Sequence, residues 1–218
     1  MIDKLHYITQ PDAGGDHLPA VLKALRAGCT WIQLRIKDRE PEFILKQAIL
    51  AKMLCDKHKA RLIVNDYPEI ALEVEAYGLH LGLSDMDIPA ARAIVGDKMI
   101  IGGTANTFEH VIKRVAEGAN YVGLGPFRFT TTKKKLSPIL GLNGYKAVMD
   151  QLKTAQINVP VIAIGGLVSE DATELMSLGL HGIAMSGAIT SSVKADEVVL
   201  SLRKALNQDT NELKRPSC

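Results

Sequence analysis

Residues 159–187 read VPVIAIGGLVSEDATELMSLGLHGIAMSG, and they contain one complete strand–helix–strand unit. The flanking runs, VPVIAIGG (159–166) and GIAMSG (182–187), are apolar without interruption. Strands covered on both faces have that continuous pattern, whereas strands with one wet face alternate. Between them, 169–178 carries a helical pattern, with Ser169 placed to cap its start and Gly179 just past its end. A glycine there supplies the left-handed residue that closes a helix.

The unit repeats outward along the chain. Further strand candidates are LHYIT (5–9), WIQLRI (31–36), RLIVN (61–65), YGLHL (77–81), KMIIGG (98–103) and NYVGLG (120–125). The segments 16–27, 41–58, 68–75, 88–95, 107–117, 142–153 and 191–206 read as helices, with Asp16 and Thr107 as starts and Gly28 and Gly118 as stops. Eight strands alternating with eight helices in 218 residues predict parallel βαβ units. The competing doubly wound sheet usually has fewer strands and a G-x-G-x-x-G after the first. Here the first strand runs into TQPD. The expected fold is therefore α/β, a single-domain (β/α)8 TIM barrel over 1–206, followed by a polar tail, 207–218.

Composition narrows the function. Hydrophobic residues are 47% and charged residues 23%, enough apolar content for a real core, and a net charge of +2 creates no global field for nucleic acid. Cys29, Cys55 and Cys218 are odd in number and irregularly spaced, which argues against both a disulfide framework and a zinc site. MIDKLHYITQPD lacks a signal-peptide core, and no apolar run reaches membrane-spanning length. A cytoplasmic protein with neither membrane nor nucleic-acid partner is expected, its oligomeric state open.

In such barrels the reactive residues gather at the C-terminal ends of the strands. Strand 2 ends with Gln33, Arg35 and Lys37 on one side, strand 3 with Asn65 and Asp66, and strand 5 with Thr104; Asp85 follows strand 4. Gly165–Gly166 and Met185–Ser186–Gly187 end strands 7 and 8. Each has a plainer reading. Gln33, Arg35 and Lys37 could form an interior polar layer, Asn65–Asp66 and Asp85 could cap the following helices, and the paired glycines could be a tight turn. His80 and His181 read as packed residues and Trp31 as core. Together, however, two carboxylates and an amide on adjacent strands suit a hard divalent cation, and strands 7 and 8 are where barrels build phosphate cradles. FTTTKKKLSP (129–138), after strand 6, is either a solvated basic loop or an anion site.

The pieces QLRIK (33–37), LIVND (62–66), GLHLGLSD (78–85), IIGGT (100–104), GLGPFRFTTTK (123–133), VIAIGG (161–166) and HGIAMSGAI (181–189) together resemble the thiamine-phosphate synthase family, in order and spacing over about 5–190. The resemblance implies a Mg2+-dependent transferase. It would join 4-amino-2-methyl-5-hydroxymethylpyrimidine diphosphate to a thiazole phosphate and release pyrophosphate. Gln33, Arg35, Lys37, Asn65, Thr104 and Lys133 would hold the pyrimidine diphosphate, with Arg35, Lys37 and Lys133 as the catalytic cations. Asp66 and Asp85 would ligate Mg2+, while Thr130, Thr132, Gly166, Ser186 and Gly187 would hold the thiazole phosphate. The chain departs from the family pattern at Leu83, commonly Gln, at Thr104, commonly Ser, and at Ser186–Gly187, commonly Val/Ile-Ser. A related thiazole tautomerase uses a histidine just after strand 6, where this chain has Pro126. A non-catalytic thiazole-phosphate binder would need the cradle but not the acid pair.

Overall fold

The computed structural model describes residues 1–129 and 138–207. Its strands are β1 (Leu5–Ile8), β2 (Trp31–Leu34), β3 (Arg61–Asn65), β4 (Gly78–Leu81), β5 (Ile100–Ala105), β6 (Tyr121–Leu124), β7 (Val161–Ile164) and β8 (Gly182–Met185). Each pairs in parallel with the next, and β8 pairs back onto β1, closing the barrel. The crossover helices are α1 (Leu18–Arg26), α2 (Pro41–Lys57), α3 (Pro68–Glu73), α4 (Ile88–Val95), α5 (Phe108–Ala116), α6 (Gly141–Thr154) and α7 (Asp171–Ser177). After β8 come α8 (Gly187–Thr190) and α9 (Ala195–Ala205). The expected (β/α)8 barrel is the fold, and no described helix is long and apolar enough to cross a membrane.

Helix starts follow local chemistry only in part. Thr107 does cap α5, its hydroxyl accepting from the His110 amide at 3.2 Å. Ser169 does not cap α7. The Asp171 carboxylate reaches back to the Val168 amide instead, at 2.8 Å. Asp16 lies one residue before the N-cap His17, although its carboxylate accepts from the Leu18 amide. A proline in the first turn of α1, α2, α3 and α4 is the more regular start signal.

Both faces of the strands are buried, which explains their unbroken apolar runs. Residues such as Leu34, Leu62, Leu79 and Ile183 pack outward against the helices. Ile8, Trp31, Ile63, Tyr121, Ile162 and Ala184 fill the barrel interior. Trp31 is core, as expected, and stacks on His6 with ring centroids 4.4 Å apart. Burial keeps His6 neutral, its pKa pulled down to about 3. Cys29 and Cys55 are buried thiols whose pKa burial pushes up to about 12.

The glycine pair of IIGGT serves both faces of β5. A Cβ on Gly102 would lie 2.1 Å from the Tyr121 ring inside the barrel, and one on Gly103 would lie 2.7 Å from Arg114 Cδ outside it. Overpacking of this kind costs ~1–3 kcal/mol or more. Gly102→Ala should therefore shift urea denaturation by at least that much. Unchanged stability would mean that Tyr121 can leave the interior.

Candidate active site at the barrel mouth

Alternation along β2 puts Trp31 and Gln33 inside the barrel, and Arg35 and Lys37 continue the same line above it, into the mouth. Gln33 is buried, and its Nε2 donates to Asn65 Oδ1 at 2.7 Å. Each amide thus satisfies part of the other's need, and the pair forms part of the cavity lining. The interior-layer reading is right for Gln33 but not for the two cations above it.

The chain turns sharply after Asn65. Asp66 has φ +73, in the left-handed region where a side chain is held only if its surroundings enforce it. Its amide donates to the His80 carbonyl at 2.9 Å, and its carboxylate meets Lys37 Nζ. Neither Asn65 nor Asp66 caps α3, whose N-cap is Tyr67. Nor does Asp85 cap α4. Asp87 takes that role, accepting from the Ala90 amide at 2.8 Å, and Asp85 accepts from the Gly82 amide at 2.6 Å.

Lys37 Nζ also lies 3.7 Å from Asp85 Oδ1, and the two carboxyl groups touch by hydrogen bond. Burial, then the hydrogen bond with Asp85, pushes the Asp66 pKa up to about 7 against the pull of Lys37. For Asp85 burial also opposes ionisation, but the hydrogen bond from Asp66, the Lys37 charge and the Gly82 amide together hold its carboxyl below the usual range. Asp66 Oδ1 is buried, with no hydrogen-bond partner among the described residues. A crowded acid pair with one unpartnered oxygen fits a hard cation. No cluster of three or more acidic, His or Cys ligands occurs among the described residues. Mg2+ needs only one or two carboxylates when waters and substrate phosphates complete its shell.

The opposite lip is backbone. Gly165 and Gly166 have φ +94 and +69, and a Cβ on Gly166 would lie 2.8 Å from Arg128 Cβ. Arg128 grips Asp171 of α7, with Nη2 to Oδ1 at 2.6 Å, and also donates to the Gly166 carbonyl. The Ser186 hydroxyl donates to the Ile8 carbonyl at 2.7 Å, so it ties β8 to β1. Beside it stand Gly187 and Ala188 of α8, whose amides precede any intrahelical partner. The sequence predicts no helix between strand 8 and residue 191, so α8 is not among the expected elements. Four residues show no helical period.

One cavity of about 910 Å³ takes in Gln33, Arg35, Lys37, Asn65, Asp66, Asp85, Thr104, Gly166, Ser186 and Gly187. Thr130, Thr132 and Lys133 lie outside the described residues. On their flanks, Phe129 lines the cavity, and the Leu140 and Gly141 amides donate to the Pro126 and Phe127 carbonyls. His80, read as merely packed, is buried yet lines this cavity, between Tyr121 Oη at 3.0 Å and Thr104 Oγ1 at 3.1 Å. Its place two residues after Gly78 on the inward side of β4 was the available signal. His181 lies elsewhere, its Nε2 against the Ile2 carbonyl.

Comparison with known proteins identifies the family. The family model for thiamine monophosphate synthase matches residues 5–189. The chain is 50% identical over 214 residues to a thiamine-phosphate synthase of Flavobacterium johnsoniae, covering 97% of this chain and 96% of that one. It is 46% identical over 206 residues to that of Flavobacterium psychrophilum, covering 94% and 100%. Among solved structures, a thiamine phosphate pyrophosphorylase from Pyrococcus furiosus superposes with a TM-score of 0.79 at 28% identity, covering 97% of each chain. The match runs from the first strand into the short helix after the last, and on that ground the chain belongs to the thiamine monophosphate synthase family.

Proposed function

We propose that the two lips of this cavity hold the two substrates side by side. The pyrimidine diphosphate lies against β2–β5, the thiazole phosphate against β6–β8, and their union gives thiamine phosphate and pyrophosphate. As a family member the chain is a transferase of thiamine biosynthesis, acting on small phosphorylated molecules. What carries the assignment of the lips is that a charged carboxylate–lysine lip and a glycine-amide lip open into one space of about 910 Å³. That volume is of the size that encloses small organic ligands.

The roles follow from chemistry. The Gln33–Asn65 amide pair offers donors and acceptors to the pyrimidine ring, and Thr104 adds a hydroxyl. Arg35, Lys37 and Lys133 meet the diphosphate. Asp66 and Asp85 would hold Mg2+, which when bound neutralises charge gathering on the departing pyrophosphate. Lys37, 38% exposed on a flexible stem, can exchange its carboxylate contacts for phosphate oxygens as the substrate enters. The pyrimidine 4-amino group stabilises positive charge on the exocyclic carbon as its bond to pyrophosphate lengthens. The thiazole nitrogen then attacks with its lone pair. No proton has to leave that nitrogen, so no protein base is needed. The amides of Gly166, Ser186 and Gly187, with Thr130 and Thr132, would hold the thiazole phosphate.

A pyrophosphate-release assay tests the reading. Release should require both substrates and Mg2+; release from the pyrimidine diphosphate alone would overturn the coupling. A binder of thiazole phosphate would have no use for the Asp66–Asp85–Lys37 group. Thr130→Val with Thr132→Val should mainly raise KM for the thiazole phosphate, by the ~1–3 kcal/mol that such hydroxyl contacts contribute. A loss confined to the pyrimidine diphosphate would reverse the two pockets.

A further inference from the structure

Arg114 of α5 is 3% exposed, yet all three of its nitrogens are engaged. Nη1 meets Glu117 Oε2 at 2.8 Å, which balances the buried charge. Nε donates to the Thr104 carbonyl at 3.2 Å and Nη2 to the Gly82 carbonyl at 2.7 Å. These two carbonyls belong to β5 and to the residue just after β4, at the mouth end of the barrel. Gly103 leaves the room through which the arginine stem passes.

Gly82 is the point where this outer contact reaches the site. Its amide donates to Asp85 Oδ2 at 2.6 Å, and its carbonyl accepts from Arg114 and, at 3.4 Å, from the Asp85 amide. A Cβ at Gly82 would lie 2.5 Å from Asp85 Oδ2, so the close approach requires glycine. Glycine is also the residue that restrains its own peptides least. Something else must hold them. We propose that Arg114, from outside the barrel, is a positioning residue: it fixes the Gly82 peptide and thereby the stance of Asp85 toward Asp66, and it sets the height of Thr104 on the adjoining strand. The inference rests on the reading that Asp66 and Asp85 hold the metal.

The test uses Mn2+ as probe, in the presence of inorganic pyrophosphate, with free Mn2+ followed by electron paramagnetic resonance. Four variants are compared with the wild type: Arg114→Lys, Gly103→Ala, Asp85→Asn and Arg203→Lys. Arg203 is the matched control. It too is buried, and it donates to the Gly28 carbonyl at 2.7 Å and to Thr30 Oγ1, groups that precede β2 at the far end of the barrel. Arg114→Lys should weaken Mn2+ binding about 10-fold or more, as loss of outer support for a metal ligand typically does. Arg203→Lys should lower the melting temperature and leave Mn2+ affinity unchanged. If Arg114→Lys does not fold, Gly103→Ala displaces the same side chain with its charge intact and is read in the same way. Weakened binding in Asp85→Asn but not in the Arg114 or Gly103 variants would overturn the positioning role alone. Equal weakening in Arg203→Lys would reduce the effect to general destabilisation and overturn it as well. No change in Asp85→Asn would sink the metal reading, and this inference with it.

Discussion

Asp66→Asn and Asp85→Asn should each lower kcat/KM by about 10³-fold with the barrel intact. That is the several kcal/mol of charge neutralisation a metal supplies, at ~1.4 kcal/mol per tenfold. Asparagine is the better substitution at position 66, because it tolerates the left-handed φ of +73 that alanine would strain. The metal-free protein should show the opposite trend in stability. Asp66 titrates at about 7 in the folded chain against 3.8 ordinarily. Between those values the folded state keeps a proton that the unfolded chain has lost, so this group's contribution falls as pH rises through that window and is level above it. In EDTA, Asp66→Asn should then melt above the wild type at about pH 8, with the gap closing toward about pH 4. Scanning calorimetry across that range checks the sign, and steady-state kinetics checks the loss. Near-normal Mg2+-dependent turnover in either variant would remove that residue from the metal role.

Lys133→Ala should lower kcat by roughly 10²-fold and raise KM less, while Lys134→Ala and Lys135→Ala cost little. All three lie outside the described residues, so the distinction rests on sequence position and on the flanks. Lys133 follows Phe129, a cavity-lining residue, by four positions in the sequence. It also adjoins Thr132, one of the hydroxyls assigned to a phosphate. A cation aimed at departing pyrophosphate gains complementarity as the bond breaks, so its loss falls on kcat, and one such preorganised contact is worth ~10²-fold or more. Lysines that only neighbour it are screened by water and salt. Equal losses across the three single variants would describe a diffuse basic patch that steers substrate, and Lys133 would lose its specific role.

Much of the architecture was legible because its causes are local. A strand buried on both faces must be apolar throughout, so eight runs marked eight strands to within a residue or two at most ends. Gly28, Gly118 and Gly179 all have φ near +90, as their places after helices required. Gln33, Arg35 and Lys37 keep the two-residue spacing of a strand although β2 ends at Leu34, and all three line one cavity. Knowing that active groups collect at strand ends then grouped Asn65, Asp66, Asp85, Thr104, Gly166, Ser186 and Gly187 with them, and all of these line the same cavity.

Other features depend on partners distant in sequence. Gly102 leaves its space to Tyr121 of the next strand, and Gly103 leaves the passage that the Arg114 stem takes. Asp85 and Asp87 look interchangeable as helix caps along the chain. Only the fold gives Asp87 the helix and turns Asp85 toward Lys37 and Asp66. The raised pKa of Asp66 needs burial and a second carboxylate from another loop, neither of which a linear pattern encodes. Backbone period and burial act over a few residues, so the strands, the crossover helices and the residue types at the strand ends are legible in the chain itself. Which acid faces which cation, and which glycines have their space filled by a neighbour, depends on distances of a few ångströms between segments that meet only when the barrel closes.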